Sequence, residues 1–161
     1  MMRYDRAYHA LLRREGNVTI VTFPDLPECN TFGDDEGDAL ISAREALGLA
    51  LRLRLKDRED LPPARFDGGI EVSPPVFDTL KLAVILAFTD SGIRKTELAH
   101  RIGKVETEAR RILDPMHHTE LPLLEAALAA LGKHAVVTLR DTAQAARLPA
   151  PPGSLCLKPG S

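Results

Sequence analysis

The apolar positions of this chain follow two different spacings. From Tyr4 to Phe23 they fit the two-residue repeat of strands, and from Leu40 to Leu55 they recur every three or four residues, as on one face of a helix. VTIVTF at 18–23 is the clearest strand. The segment before it, RYDRAYHALLRR at 3–14, places Tyr4, Ala7, Tyr8, Leu11 and Leu12 where a strand or a short helix would accept them. Gly16 and Asn17 decide for a strand, because both residues tolerate positive φ and together mark a two-residue hairpin turn.

Pro24 and Pro27 lack the N–H groups of a central ladder, which puts the next corner at a sheet edge or in a loop. CNTFG at 29–33 reads as a brief third strand. Asp34 or Asp35 then caps a helix, with Glu36 and Asp38 in its first turn, where the helix dipole favours negative charge. Leu40, Ala43, Leu47, Leu51 and Leu55 form its buried stripe, while Leu49 and Leu53 lie opposite and suggest a second cover from another subunit. DLPPARFDGG at 60–69 is a linker, and IEVSPP at 70–75 is a short strand stopped by two prolines. Residues 1–73 thus read as one α/β unit of order β-β-β-α-β.

A second, helical unit spans 76–140. It opens with VFDTLKLAVILAF at 76–88, apolar around most of its circumference but too short and too charged to span a bilayer. In IRKTELAHRIGKVETEARRILDP at 93–115, Leu98 and Ile102 share one face, Ala99 is small where a second helix must come close, and Gly103 supplies a positive-φ stop. ETEARRIL follows almost at once, with Ala109, Ile112 and Leu113 inward. With LPLLEAALAALG behind it, the pattern is that of a helix-turn-helix bundle whose second helix turns outward to read a groove. A plain helical bundle with a solvated charged face would show similar spacing. AVVTL at 135–139 reads as a strand that needs a partner, such as a second copy of the chain, and 141–161 reads as a disordered tail. The fold class expected is α+β: a small antiparallel sheet with one helix, then an all-α helix-turn-helix bundle.

Charge sharpens this division. The chain of 161 residues has a formal net charge of -2, so it lacks the global basicity of nonspecific nucleic-acid binders. Residues 1–75 hold 10 Lys+Arg against 14 Asp+Glu, whereas the window 94–111 alone holds 6 against 3. The candidate DNA-binding residues are Arg94, Lys95, Thr96, Lys104, Glu106, Thr107, Arg110, Arg111 and His117, which combine phosphate-neutralising cations with polar groups able to meet base edges.

Catalytic patterns are absent: there is no nucleophile-elbow motif, no phosphate-binding glycine loop and no metal spacing. The adjacent histidines of DPMHHTEL at 114–121 have no ligand spacing with Asp114 or Glu120. The loop is expected to cap the next helix through Thr119 and to bring His117 near a phosphate. Cys29 and Cys156 form no framework, and with no apolar leader after Met1 a reducing cytoplasm is expected. Neither cofactor nor metal is expected.

Two motifs together resemble the HicB antitoxin family, in its members with a C-terminal helix-turn-helix. One is Y-x-A-L-L, V-T-I-V-T-F-P-D-L-P-E-C-N-T-F-G-D and the A-x-E-A-L helix; the other is E-L-A-x-R-I-G, E-A-R-R-I-L-D-P-x-H-x-T-x-L and L-E-A-A-L-A-A-L-G. They cover about residues 4–139. Glu28 stands where the family's turn carries glycine, Arg94 where a capping Ser or Thr is common, and Lys104 where an apolar residue usually follows the turn glycine. The resemblance implies a degraded ribonuclease-H-like sheet whose acids are caps and partner surface. It also implies a partner, a small basic HicA-like toxin that cleaves messenger RNA, contacted through Phe23, Asp25, Leu26, Glu28, Asp34 and Asp35. The helical unit would repress the shared operon by binding operator DNA as a homodimer or homotetramer, without enzymatic activity. Two other readings stay open: a stand-alone transcriptional regulator with a ligand-sensing or oligomerising N-terminal unit, and a residual nuclease built on Asp25, Asp34 and Asp35.

Overall fold

The computed structural model describes residues 6–141. Four strands and five helices follow in the order β1 (Tyr8–Glu15), β2 (Val18–Phe23), β3 (Leu26–Gly33), α1 (Glu36–Lys56), β4 (Ile70–Val72), α2 (Val76–Ser91), α3 (Lys95–Arg101), α4 (Glu106–Leu113) and α5 (Leu121–Ala130). The fold is α+β, with an antiparallel sheet of spatial order β3-β2-β1-β4.

The hairpin closes at Gly16 and Asn17, with Glu15 opposite Val18 and Gly16 at φ 57°. Only glycine of the pair takes positive φ. Alternation along the strands sends Tyr8, Ala10, Val21, Phe23, Leu26 and Cys29 to one face, where Ala39, Ala43, Leu47 and Leu51 of α1 cover them. Asp35 caps α1, its carboxylate accepting the Asp38 N–H at 2.9 Å, and Asp38 in turn accepts the Asp34 N–H at 3.1 Å. These two contacts satisfy donors that a helix start leaves unpaired.

α2 joins the two halves: Leu82 completes the core beneath the sheet, whereas Ala83 and Val84 pack with Ile112, Leu124, Ala127 and Leu128. A third cluster, Leu98, Ala99 and Ala109, locks α3 against α4. Ala99 and Ala109 are both buried, so small side chains stand where the two helices meet.

Several expectations need correction. The first strand begins at Tyr8, later than the sequence pattern placed it, and the third begins at Leu26, three residues before Cys29. Pro27 fits within it because β3 is an edge strand. Residues 135–139 form no strand and are exposed at Val136, Val137 and Leu139, since a strand exists only where a ladder partner is present. Thr119 does not cap α5. Glu120 occupies the cap position without a side-chain bond, and the Thr119 hydroxyl is buried against Lys81. The expected tail from 142 onward, and Cys156 within it, lie outside the described residues.

Candidate functional site

The corner between β2 and α1 is built differently from the way its residue types suggest. Phe23 and Leu26, expected as partner contacts, are 1% and 0% exposed and belong to the core. They shape the corner from beneath and have no surface to present. Asp25 accepts the backbone N–H groups of both Arg65 and Phe66 at 2.8 Å, which pins the linker across the corner. Glu28 pairs with Arg54 near the end of α1, and that guanidinium holds the Glu28 carboxyl below the usual carboxylate range. Asp35 is the helix cap, and Asp34 lies exposed beside it. Burial pushes the Cys29 thiol up to about 11, which leaves it a protonated core residue at neutral pH. Among the described residues no three His, Cys, Asp or Glu side chains are placed to hold a metal ion.

In the helical half, α3 is closed just beyond its cap by Gly103, φ 66°, whose N–H donates to His100 O at 3.1 Å while the Lys104 N–H returns to Ala99 O at 2.9 Å. This double closure turns the chain within a few residues and starts α4 at Glu106. Ala109 and Ile112 face inward, and Lys104, Thr107, Arg110 and Arg111 are all exposed. Arg94, Lys95 and Thr96 are exposed at the start of α3. Arg110 pairs with Glu106 one turn earlier, and Arg111 lies 3.6 Å from Glu108. Arg94, Lys95 and Lys104 have no ion pair among the described residues. Surface pairs of this kind are worth about 0–1 kcal/mol, so they restrain these side chains only weakly.

The histidine pair divides. His118 stacks on Phe77 with ring centroids 4.9 Å apart, whereas His117 is exposed and bonded only through its backbone, to Asp114 O.

The comparisons bear on both halves. A family model described as HicB_like antitoxin of bacterial toxin-antitoxin system matches residues 8–83, the sheet, α1 and the start of α2. "Antitoxin HicB 1" of Photorhabdus laumondii is 33% identical over 119 residues, 74% of this chain and 77% of that protein. The chain belongs to the HicB antitoxin family. "Antitoxin HicB" of Escherichia coli K12 is 36% identical over 118 residues, covering 71% of this chain and 84% of the relative, and that of Pseudomonas fluorescens is 29% identical over 120 residues. A 119-residue match in a chain of 161 cannot end before residue 119. The HicB likeness therefore continues past the sheet unit and through α3 and α4. Among the described residues no helix is long and apolar enough to cross a membrane.

Sequence reasoning missed a set of buried polar residues between the HicB sheet unit and the helix pair. Asp78 and Lys81 of α2 are 7% and 0% exposed, and Arg52 of α1 reaches Asp78 with Nε 2.8 Å from Oδ1, close as an ion pair though not aligned as a hydrogen bond. Gly48 makes room for it, because a Cβ there would stand 2.1 Å from Asp78 Oδ2. The available signal was Asp78 and Lys81 at the same helical spacing as the apolar residues of a strongly apolar helix.

Proposed function

We propose that this HicB-family chain is an antitoxin with two separable binding activities and no catalysis. Residues 1–73 bind and mask a HicA-type toxin that cleaves messenger RNA, and residues 76–140 bind operator DNA and repress the operon that encodes both proteins. The observation that carries the reading is the likeness to proteins named antitoxin HicB, which runs across three quarters of the chain and through α3 and α4. The toxin-facing surface is centred on Asp34 and the exposed acids of the first turn of α1, with Glu28 at its edge and Phe23, Asp25, Leu26 and Asp35 holding its shape. Acid on this side suits a basic partner, since complementary charge speeds and orients encounter. The sheet unit is in this reading a ribonuclease-H-like scaffold without catalytic function; Asp25 and Asp35, which a nuclease would need for metal, are occupied by backbone N–H groups.

On DNA, α3 and α4 act as a helix-turn-helix with α4 in the major groove. Lys104, Thr107, Arg110 and Arg111 meet the groove and its phosphates, joined by Glu106. Arg94, Lys95 and Thr96 hold the flanking backbone, and His117 lies near a phosphate. Two or four copies place paired helices on an inverted repeat. The test is binding to the DNA upstream of the chain's own gene, measured alongside capture of the small protein encoded next to it. Arg110→Ala and Arg111→Ala weaken DNA binding while toxin capture survives. Equal loss of both activities contradicts the division between the two units.

A further inference from the structure

Lys81 is the one fully buried charged residue among those described, and no carboxylate lies within ion-pair distance of it. Its ammonium donates to Ile112 O at 2.6 Å, to Arg111 O at 3.2 Å and to the buried Thr119 hydroxyl at 2.8 Å. Arg111 and Ile112 lie in the last turn of α4, where the helix dipole is negative; Arg111 O also accepts the Asp114 N–H at 3.2 Å, so Ile112 O, with the shortest contact to Lys81, is the carbonyl the helix end leaves open. An isolated ammonium in an apolar core is costly, and here three oxygens and the helix end stand in for a counterion. Arg52, from α1, is fastened at the same place. Its guanidinium pairs with Asp78, one turn before Lys81 on α2, and its Nη1 reaches Pro115 O, just past α4, at 3.4 Å.

We propose that Lys81 and Arg52 are positioning residues for α4: between them they lash its C-terminal end and the loop behind it to α2 and α1, setting the angle at which its outward side chains meet DNA. The inference rests on the DNA-binding reading above. An apolar contact would bury α4 equally well but would let it slide or rotate, because dispersion and hydrophobic burial have little directionality. Three aimed hydrogen bonds from α2 and a fourth from α1 fix one orientation. The outward residues Thr107, Arg110 and Arg111 lie within two turns of the clamped end, so a small tilt there moves the groups that would meet base edges.

Positioning predicts a particular pattern of loss. Contacts to phosphate are long, flexible and sequence-independent, so they survive a tilt of α4, whereas base contacts need aligned geometry. The experiment uses the full-length Lys81→Met variant, which keeps the unbranched stem one atom shorter and removes the charge and its donors. Its affinity is measured both for operator DNA and for a scrambled duplex of equal length, with folding checked by circular dichroism. The expected result is a folded protein whose affinity for scrambled DNA is unchanged and whose preference for operator falls about tenfold or more. Proportional loss on both duplexes would mark Lys81 as a purely structural residue, and unchanged preference would show that α4 needs no clamp; either overturns the inference. Should Lys81→Met fail to fold, Thr119→Val removes one attachment of Lys81 and leaves the Arg52–Asp78 pair in place, and the same ratio decides. A wild-type chain that shows no operator preference overturns the DNA-binding reading with it, whereas a preference that Lys81→Met retains overturns this inference alone.

Discussion

The Asp78 carboxylate lies where a side chain on Gly48 would have to go. α1 and α2 approach so closely there that Oδ2 of Asp78 stands 2.1 Å from the position of a Gly48 Cβ. This approach lets Arg52, one turn along α1, reach the same carboxylate. Burial raises the Asp78 carboxyl above the usual range, and the neighbouring Arg52 guanidinium opposes the rise.

Gly48→Ala tests the packing by the sign of its effect. Alanine in place of glycine inside a helix ordinarily gains about 0.5–1 kcal/mol. Here the added methyl displaces Asp78, and a loss of about 1–3 kcal/mol is expected from overpacking. Urea unfolding of the two proteins measures it, and a more stable alanine variant would show that the helices have room to separate.

Asp25→Ala is expected to free the linker and leave the sheet intact. The carboxylate holds two backbone N–H groups, each bond to a charged acceptor being worth up to about 1.5–3 kcal/mol and less where water competes. Amide exchange at Arg65 and Phe66 should quicken strongly, while exchange in β1 and β2 stays slow. Unchanged protection at those two amides would mean that something other than Asp25 restrains them.

The buried lysine should appear in the pH dependence of stability. Burial lowers Lys81 to about 8, with Arg52 acting in the same direction and Asp114 against it. From about 8 up to the ordinary lysine value the unfolded chain still binds a proton that the folded chain has released, so the Lys81 contribution to stability rises with pH across that window. Cys29 acts the other way, because its thiol stays protonated in the fold up to about 11. The quantity to follow is therefore the difference between wild type and Lys81→Met in unfolding free energy at pH 7.5, 8.5 and 9.5. It should move toward the wild type as pH rises; a flat difference would show that Lys81 titrates as an exposed lysine does.

Much of the fold was legible because local signals agreed with tertiary ones. The Gly16-Asn17 turn, the Asp35 cap, the stripe of Ala43, Leu47 and Leu51, and the Gly103 stop each report a short-range preference that the structure keeps. What the sequence hid is long-range. Phe23 and Leu26 flank a proline turn and look like corner residues, yet strand alternation and α1 bury both. Asp78 and Lys81 looked like interruptions of an apolar helix. Their partners lie 26 to 38 residues away in Arg52, Arg111, Ile112 and Thr119, and nothing in the local pattern names those residues. The Thr119 expectation failed for the same reason, since a hydroxyl just before a helix serves a cap or a distant donor equally well.

The most direct test of the antitoxin reading is to express the chain, tagged, together with any small protein encoded beside its gene, and to measure growth and the composition of what is purified. Growth arrest by the small protein alone, relieved when both are made, with the two recovered at a fixed ratio, is the predicted result. A tagged chain that leaves the arrest in place and is recovered without the small protein would contradict it.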